Sequence, residues 1–364
     1  MDEDQMNAAG TRRRVVVTAP DTIEIHTEAV PELKDEEALV RLRVSGVCGS
    51  DKAGAHGEHA FFKPPYYPGH EVVGEVVQIG EAVDEVAVGD RVTAEPTLVC
   101  GHCKPCTTGR ENLCDNLEFF GCGYREGGMA DVFTIPAARL HVVPPNFTDH
   151  QAALIEPLAT PVHAVRLAGD LAGKTVAILG AGTIGLLVLV AARQKGAQRI
   201  VVTDTLASKR ELALRLGADA VVDAARSDLA EAVRAELGES ADVVFDCVSI
   251  QPTVQAAIQM VLKGGTVVVV GGARRPITID LPVVQEYQVC IQGATTYSAE
   301  DFQDAIGLIA SGAVDATDFI TATFPLSLAA EAFAAMASGA EVKILVTAED
   351  EVDGAKLHKQ GSQP

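Results

Sequence analysis

Hydrophobic positions follow one spacing before residue 157 and another after it. In the first stretch, short runs of β-branched and other apolar residues stand between Gly, Pro and charged residues. The clearest runs are VVVTAP, EALVRLRVSGVC, EVVGEVVQIG, DRVTAEP and ADVFTIP. Runs of this length, bounded by turn-forming residues, are typical of β-strands. The pattern predicts an antiparallel, barrel-like domain over residues 13–158.

After Pro157 the pattern alternates between strand and helix. The segment KTVAILGAGTIGLLVLVAARQKGAQRIVVTD has the form of a strand, a tight turn, a helix and a second strand. The alternation continues through DAVVD, ADVVFDCVS and TVVVVGG, with helix-like segments between them. Such an order indicates a parallel, doubly wound sheet, so we predict an α/β domain over residues 159–297.

The C-terminal part of the chain changes pattern again. Two helix-like segments, EDFQDAIGLIASG and LAAEAFAAMASG, precede the strand-like VKILVTA. We predict that residues 298–348 return to the first domain. Both ends of the chain are polar, and residues 1–12 and 349–364 are predicted to be flexible tails.

The charge balance excludes two kinds of partner. The 364 residues include 29 Lys and Arg against 50 Asp and Glu, a formal net charge of -21. Nucleic acids and anionic membranes are bound through a basic face, which this composition disfavours. The hydrophobic fraction of 48% is ample for a folded core. We therefore expect a folded protein that binds neither nucleic acid nor membrane.

One uncharged stretch approaches the length of a membrane span. It runs from Val176 to Ala192 and contains Gly180, Gly182 and Gly185. These glycines favour a buried strand, turn and helix over a span. No segment has the order of charged and apolar residues of a signal peptide, so we expect a cytoplasmic protein.

Four of the eight cysteines stand in one run with gaps of two, two and seven residues. In a cytosolic chain such a density indicates metal binding rather than disulfides. Four thiolates complete a closed tetrahedron, which is the form of a structural zinc site and is favoured here over four unrelated thiols. The run comprises Cys100, Cys103, Cys106 and Cys114. Cys122, Cys247 and Cys290 have no partner at metal spacing, and the last two are expected to fill core positions.

A glycine-rich turn predicts a dinucleotide site. Gly180, Gly182 and Gly185 follow an apolar strand and open a helix. The first glycine permits the tight turn, the second lets backbone approach a pyrophosphate, and the third lets helix and strand pack closely. The pyrophosphate would then lie at the positive end of the helix.

The acid at the end of the next strand predicts the cofactor type. Asp204 stands 19 residues after Gly185, where a carboxylate accepts hydrogen bonds from a ribose diol and repels a 2′-phosphate. NAD is therefore expected rather than NADP. Lys209 and Arg210 follow and would offset this preference. The alternative is that Asp204 only caps the end of its strand.

Three distant segments carry candidate ligands for a reacting centre. The first holds Cys48, Ser50 and Asp51, the second holds His70 and Glu71, and the third holds Glu156. Taken singly, such residues more often have structural roles. Their weight comes from standing in one chain with a closed four-cysteine loop and a nucleotide turn.

With these motifs together, the sequence resembles the zinc-dependent medium-chain dehydrogenase/reductase family. The resemblance is strongest to its polyol branch, the sorbitol and threonine dehydrogenase-like enzymes, and it covers about residues 13–348. Its motifs are CGSD, PGHE, the four-cysteine loop, IEPLA, GAGTIG and VVTD. It implies a Rossmann NAD-binding domain, and a GroES-like β-barrel catalytic domain with one catalytic and one structural zinc.

The resemblance also implies roles at the reacting centre. Cys48, His70 and Glu71 match the ligands of the catalytic zinc. Glu156 matches an acid that binds the metal directly or holds its water. Ser50 matches the hydroxyl that passes the alcohol proton towards solvent.

Two further implications concern the surroundings of that centre. Asp51 is expected to orient a metal ligand. The family often has a His where Ala53 and Gly54 stand here. His56 and His59 are candidates to replace it in the outer proton relay.

Further cofactor contacts follow from the same comparison. Thr296 stands where sorbitol dehydrogenases carry an Arg near the substrate, which disfavours sorbitol itself. The remaining cofactor contacts implied are Thr183, Ile184, Lys209, Val270, Gly271, Gly272, Thr295 and Thr296. Residues that are candidates to face the substrate cleft are Phe61, Tyr66, Phe119, Tyr124, Arg125 and Glu126.

The predicted function is oxidation of a secondary alcohol to a ketone by hydride transfer to NAD. The alcohol is expected to belong to a polyol, a sugar derivative or an amino alcohol, and the protein to form a homodimer or homotetramer. One alternative is a zinc-free alkene or quinone-type reductase on the same fold. Another is a nucleotide-binding protein without catalytic activity.

Overall fold

The computed structural model describes residues 10–348, which fall into two compact units. The first unit holds the chain up to Glu156 and again from Asp315 onwards, and the second holds Pro157–Val314. Most of the two predicted tails, residues 1–9 and 349–364, lies outside the described part. The prediction of a flexible tail is wrong for Thr11 and Arg12, which lie in the first strand.

The strands carry the labels used below. They are β1 (Thr11–Ala19), β2 (Thr22–Ala29), β3 (Glu37–Val47), β4 (Glu71–Ile79), β5 (Arg91–Ala94), β6 (Thr97–Leu98), β7 (Glu118–Phe119), β8 (Val132–Pro136), β9 (Leu140–Val142), β10 (Thr175–Leu179), β11 (Arg199–Asp204), β12 (Ala220–Asp223), β13 (Ala241–Asp246), β14 (Val261–Val269), β15 (Cys290–Gly293), β16 (Ile320–Pro325) and β17 (Lys343–Thr347).

The helices are numbered in the same way. They are α1 (Gly49–Ala55), α2 (Lys104–Thr107), α3 (Asp149–Ala152), α4 (Ile155–Leu167), α5 (Thr183–Gln194), α6 (Ala207–Arg215), α7 (Leu229–Leu237), α8 (Gln251–Met260), α9 (Leu281–Glu286), α10 (Ala299–Ala310), α11 (Ala316–Phe319) and α12 (Ala329–Ser338).

The first unit is built on a mostly antiparallel sheet, as its alternating apolar runs predict. Its order is β16-β17-β3-β4-β5-β9, with β8 also pairing with β3. Apolar side chains of β3, β4, β5 and β8 form one buried cluster, and those of β1, β3, β17 and α12 form another. The sheet has the features of the GroES-like domain. It places the end of β3 beside the start of β4, where Gly46 pairs with Glu71.

Arg12 shows why the N-terminal boundary differs from the prediction. Its guanidinium donates to Glu126 at 2.6 Å and to Glu28 at 2.8 Å, and the side chain is 2% exposed. A charge this deeply buried requires such partners. These ion pairs therefore hold the start of β1 against β2 and against the loop that contains Glu126.

The second unit is a parallel α/β sheet of the Rossmann type. Its order is β12-β11-β10-β13-β14-β15, and every adjacent pair is parallel. The central strands β10, β11 and β13 are largely buried, and α7 and α8 contribute apolar residues to the core cluster of the sheet. Because parallel strands end at the same edge, the turns after β10, β11, β13, β14 and β15 lie along one side of the sheet.

The segment after β15 belongs to the second unit, so the predicted boundary at residue 298 is too early. Helix α10 packs beside α4 through Asp301, which accepts hydrogen bonds from His163 at 2.8 Å and from Arg166 at 2.6 Å. The chain returns to the first unit only at Asp315. These contacts of the buried Asp301 carboxylate join α10 to α4, and they leave no periodic signal in the sequence.

Within residues 10–348, no helix has the length and apolarity required to cross a membrane.

Candidate active site

Two strand ends bring the predicted metal ligands of the first unit together. Cys48 follows β3 and caps the N-terminus of α1, while Glu71 opens β4 directly after His70. Glu71 is paired in register with Gly46, and a Cβ on Gly46 would overlap the Glu71 carboxylate. The missing side chain is therefore what gives this carboxylate its room.

The donor atoms of this trio converge. One sulfur, nitrogen or oxygen atom from each of Cys48, His70 and Glu71 lies within 4.8 Å of the others. His70 and Glu71 are 2% and 1% exposed. A thiolate, an imidazole and a carboxylate form the donor set that zinc takes in catalytic sites, so these residues fit that metal.

Glu71 has a strong partner that the sequence did not reveal. Lys343, at the start of β17, places its Nζ 2.6 Å from both carboxylate oxygens of Glu71. Its side chain is 2% exposed. Burial would lower the pKa of this ammonium, but the charges of Glu71 and Cys48 raise it instead. The residue therefore stays positive and compensates part of the negative charge of the ligand set.

Asp51 and Ser50 lie in the first turn of α1. Asp51 is fully buried, and its Oδ2 accepts a hydrogen bond from the Cys48 backbone N–H at 2.9 Å. Its Oδ1 lies 3.8 Å from His70 Nδ1. Burial raises the pKa of the Asp51 carboxyl. Ser50 is half-buried, two residues after Cys48.

Cys122 contacts His70, although the sequence offers no spacing that links them. Its Sγ lies 3.4 Å from His70 Nδ1, and burial raises the pKa of its thiol to about 11. The ring of Phe119 meets the imidazole edge to face, with centroids 5.6 Å apart. Burial disfavours the His70 cation, but the neighbouring Cys122 and Asp51 raise its pKa well above 6.5.

Glu156 lies near this centre without joining the trio. It is 6% exposed and stands in the first turn of α4. Its charge contributes to raising the pKa of Lys343. Among the described residues, the metal-capable group within 4.8 Å comprises Cys48, His70 and Glu71 and does not include Glu156.

The four cysteines of the predicted structural site form a second cluster. Donor sulfurs of all four lie within 4.8 Å of one another, with Cys103 Sγ 3.4 Å from Cys106 Sγ. Backbone N–H groups of Cys100 and Asn116 donate to Cys114 Sγ, both at 3.3 Å. A hydrogen bond from the His102 backbone lowers the pKa of Cys100 to about 6. Amides aimed at sulfur stabilise thiolates, which suits a metal with four sulfur ligands.

The glycine turn of the second unit shows the geometry that a pyrophosphate requires. Gly180 has φ of 95°, and a Cβ there would lie 2.6 Å from Val248. A Cβ on Gly185 would overlap the carbonyl oxygen of Gly180. Gly182 caps α5, and a Cβ there would meet nothing within 4 Å. Thr183 and Ile184 stand in the first turn of this helix, and a helix N-terminus of this kind is suited to binding a pyrophosphate.

Asp204 ties the glycine turn to the next helix. Its Oδ2 accepts from the Ala181 N–H and its Oδ1 from the Leu206 N–H, each at 2.9 Å. Arg210 donates to the carbonyl oxygen of Asp204 at 2.8 Å and pairs with Asp223 at 3.6 Å. Arg210 is thus directed at backbone and Asp223, and Lys209 is half-buried beside it on α6.

The other predicted cofactor contacts lie along the same sheet edge. The N–H groups of Val270 and Gly271, after β14, donate to the Asp246 carbonyl at 2.9 and 3.0 Å, and Gly272 follows. Thr295 and Thr296 follow β15, and Thr296 has φ of 47°. A β-branched residue in the left-handed region is uncommon and carries strain of the kind found at ligand sites.

Several weaker candidates have structural partners instead. Glu126 is bound by Arg12 and Arg14, and Arg125 pairs with Glu37. Tyr66 is 1% exposed within the core.

The candidates for the outer proton relay also have neighbours. His56 pairs with Asp21, and His59 stacks on Phe62 with ring centroids 4.0 Å apart. The expectation that Cys290 fills a core position is wrong, because the residue stands exposed on β15, at one end of the sheet order.

Comparisons with known families match both units. The family of alcohol dehydrogenase GroES-like domains matches residues 34–145. The family described as zinc-binding dehydrogenase matches residues 183–311. Cys48, His70, Glu71 and the four cysteines lie in the first range, and the glycine turn opens into the second.

Curated relatives match nearly the full chain. The sorbitol dehydrogenase of Bombyx mori is 34% identical over 341 residues, which cover 91% of this chain and 97% of that protein. The D-xylulose reductase A of Aspergillus oryzae is 32% identical over 337 residues, covering 90% and 94%.

Solved structures show the same architecture. A Sinorhizobium meliloti protein assigned to the zinc-binding dehydrogenases and bound to NADP has a TM-score of 0.87 at 33% identity, covering 93% of this chain and 99% of that one. The 2R,3R-butanediol dehydrogenase of Bacillus subtilis has a TM-score of 0.85 at 27% identity, covering 92% and 99%. The chain therefore belongs to the polyol branch of the zinc-dependent medium-chain dehydrogenases, oxidoreductases that act on CH–OH groups with NAD or NADP.

Proposed function

We propose that this protein oxidises a secondary alcohol of a polyol, a sugar derivative or an amino alcohol to the ketone, with one catalytic zinc and NAD. The observation that carries the proposal is the convergence of Cys48, His70 and Glu71 within 4.8 Å. Three such donors have no purpose in a zinc-free alkene or quinone-type reductase, and the relatives of this chain include a sorbitol dehydrogenase and a D-xylulose reductase. A nucleotide-binding protein without activity would not need them either.

The trio would hold the catalytic zinc, with Glu156 as a further ligand or the partner of its water. Zinc at such a site acts as a Lewis acid that lowers the pKa of a bound hydroxyl. Lys343 neutralises Glu71, so the remaining negative charge near the metal is that of Cys48 and Glu156. Cys48 and His70 are thus the expected permanent ligands, and the two glutamates are the adjustable ones.

The remaining residues of α1 would handle the proton and the geometry. Ser50 would accept the proton of the alcohol and pass it towards solvent. Asp51 holds the Cys48 backbone through its N–H. His56, paired with Asp21 at the surface, is the proposed outer acceptor of the relay.

NAD is the proposed cofactor, and it supplies the acceptor for hydride. Asp204 is the supporting residue, because a carboxylate at the end of β11 repels a 2′-phosphate. The NADP-bound Sinorhizobium meliloti neighbour makes cofactor choice a point to test in this chain. Val270, Gly271, Gly272, Thr295 and Thr296 would line the nicotinamide side.

A second zinc is proposed at the four cysteines, where it would be structural. Its four sulfur ligands leave no open position for a substrate. The free thiols of this cluster also favour a reducing compartment, and we propose the cytoplasm. The proposed assembly is a homodimer or homotetramer, for which light scattering of the purified protein is the test; a monomer would contradict it.

The test of the function combines substrates, cofactors and a chelator. Purified protein is incubated with polyols, sugar alcohols, inositols and amino alcohols, with NAD or NADP, and cofactor reduction is recorded at 340 nm, the absorbance band of the reduced nicotinamide. We expect reduction of NAD by at least one of these alcohols, and its loss after chelation. Cys48→Ser should abolish turnover, whereas Cys290→Ser, an exposed cysteine outside both clusters, should not change it. Activity that survives both chelation and Cys48→Ser would contradict the proposal.

A further inference from the structure

The imidazole of His70 has a partner that the roles above leave unused. Cys122 Sγ lies 3.4 Å from His70 Nδ1, within hydrogen-bond range for sulfur. Asp51 Oδ1 lies 3.8 Å from the same nitrogen, which is too far for a hydrogen bond between nitrogen and oxygen. One donor atom from each of the three residues lies within 4.8 Å of the other two. Cys122, rather than Asp51, therefore makes the direct contact with this nitrogen.

The carboxylate of Asp51 has one satisfied oxygen and one without a donor. Its Oδ2 accepts from the Cys48 backbone, while Oδ1 is buried and has no hydrogen-bond partner within residues 10–348. A buried carboxylate oxygen without a donor carries a desolvation cost. A buried thiol within 4.8 Å carries one S–H, and rotation about its C–S bond directs that hydrogen towards the carboxylate.

The loop that carries Cys122 is fixed against the backbone of His70. Gly121 has φ of 80°, and a Cβ there would lie 2.7 Å from the backbone nitrogen of His70. The Cys122 N–H donates to the Phe119 carbonyl at 3.1 Å, which closes the turn. The same turn sets the Phe119 ring against the imidazole. The turn 119–122 thus holds His70 at its ring edge and at Nδ1.

We propose that Cys122 is a positioning residue for His70. Its sulfur accepts the Nδ1–H hydrogen bond, and its S–H donates to Asp51 Oδ1. This arrangement places the proton of the neutral ring on Nδ1 and leaves Nε2 for the metal. Because Asp51 also holds the backbone of Cys48, one carboxylate sets the orientation of both ligands.

The inference rests on the proposed function, since it concerns a residue that would bind zinc. Groups that hydrogen-bond a metal ligand typically change metal affinity about 10- to 100-fold when they are removed. We therefore expect Cys122→Ala to weaken metal binding at the Cys48 and His70 site by such a factor. Cys122→Ser, which keeps a donor and an acceptor, should restore most of the loss.

The experiment uses the full-length protein, stripped with a chelator and titrated with Co²⁺. The absorption of cobalt bound to four thiolates reports the four-cysteine site and serves as an internal control for folding. The weaker bands of the one-thiolate site report Cys48 and His70. In the cobalt-loaded protein, the hyperfine-shifted and exchangeable Nδ1–H resonance of His70 reports its hydrogen bond directly. Cys247→Ala, which removes a half-buried thiol of the second unit, is the matched control.

The expected result is weaker cobalt binding at the one-thiolate site in Cys122→Ala alone, with a shifted and faster-exchanging Nδ1–H signal that Cys122→Ser recovers. If Cys122→Ala matches the unaltered protein in affinity and in this resonance, the inference is wrong while the proposed function stands. If the unaltered protein binds no cobalt at Cys48, both are wrong.

Discussion

At the scale of single residues, Lys343 most changes the electrostatics of the proposed metal centre. It stands 272 positions from Glu71 and yet binds both of its carboxylate oxygens at 2.6 Å. A buried ion pair adds little net stability, but removing one partner leaves an uncompensated buried charge. The side chain of Glu71 therefore has its charge partner on a strand far along the chain.

This ion pair predicts the effect of Lys343→Met. In chelator-treated protein, the first unit should lose about 3–5 kcal/mol of unfolding free energy, because the Glu71 carboxylate is left buried and unpaired. Urea denaturation followed by circular dichroism measures the loss. The double variant Lys343→Met with Glu71→Gln should recover part of it, whereas Arg41→Met, at a half-exposed pair with Glu75, should cost less than about 1 kcal/mol. A loss that persists fully in the double variant would contradict the charge argument.

Two glycines of one turn predict opposite phenotypes. Gly185→Ala forces a Cβ onto the Gly180 carbonyl and should destabilise the second unit by about 1–3 kcal/mol. Gly182→Ala adds a Cβ in open space, so the thermal midpoint should stay within 1–2 °C while NAD binding weakens. Thermal unfolding and calorimetric titration with NAD separate the two. Equal stability losses, or unchanged NAD binding in Gly182→Ala, would refute this division of roles.

The residues that could be predicted from the sequence share one property: the groups that act together stand close to one another along the chain. Gly180, Gly182 and Gly185 stand within one turn, and the four cysteines stand within 15 positions. Cys122 and Lys343 could not be predicted, because their contacts depend on which loops and strands meet in space. A lone thiol or a lone lysine in an apolar strand carries no spacing that would indicate its partner.

At the scale of elements, the four-cysteine loop is a segment whose order we expect to depend on metal. Its helix α2 has only four residues, and none of them is buried. So small an element lacks an apolar core of its own, and metal binding supplies the free energy that orders it.

Cys103→Ser should therefore remove one zinc per chain, without removing the zinc proposed at Cys48. Zinc content is measured by atomic emission, and local order by limited proteolysis. Cleavage should appear between residues 100 and 114 and nowhere else in the first unit. Two zinc ions retained in the variant, or no new cleavage, would show that the loop orders without its metal. Cys290→Ser serves as the control.

Helix α10 predicts a pH dependence of stability. Although burial disfavours the ionised form of Asp301, hydrogen bonds from His163 and Ser298 lower its pKa to about 2 from an ordinary value of 3.8. Arg166, whose Nε lies 2.6 Å away, is the other charge facing it. A carboxyl whose pKa is lower in the folded state stabilises the fold above about pH 4. That contribution is lost as the pH falls through about 2.

Comparison with Asp301→Asn isolates this contribution. The variant should be less stable at pH 6 by on the order of 1–2 kcal/mol, after allowing for screening by solvent. The difference should shrink between pH 4 and pH 2, where Asp301 of the unaltered protein becomes protonated. Urea denaturation at a series of pH values measures both quantities. A difference that stays constant down to pH 2 would refute the assignment of the ionised form.

The elements also show where prediction from the sequence ends. Alternating apolar runs predicted the antiparallel and parallel sheets, because periodicity reflects the face that each strand buries. The unit to which α10 belongs was missed, because the contacts of Asp301 with His163 and Arg166 leave no periodic signal in the sequence. Arg12 was assigned to the N-terminal tail, because nothing in the local sequence indicates that Glu28 and Glu126 pair with it in the interior.

At the scale of the whole molecule, the chain passes between its two units twice, after Glu156 and after Val314. The predicted zinc ligands other than Glu156 lie well inside the first unit, and the predicted nucleotide contacts lie in the second. A ligand that binds only the native state stabilises the region whose opening would release it. Zinc and NAD should therefore protect different parts of the chain.

Hydrogen exchange read by mass spectrometry tests this separation. Zinc added to stripped protein should slow exchange around residues 46–51, 69–72 and 100–114. NAD should slow it at the carboxyl ends of β10, β11, β14 and β15, where the glycine turn, Asp204, Val270 and Thr296 lie. Gly182→Ala should abolish the slowing of exchange by NAD and keep the slowing by zinc. Cys48→Ser should abolish the slowing by zinc at residues 46–51 and keep the slowing by NAD. Protection of both units by NAD alone, at the same sites as zinc, would show that the two ligands stabilise one cooperative body rather than two.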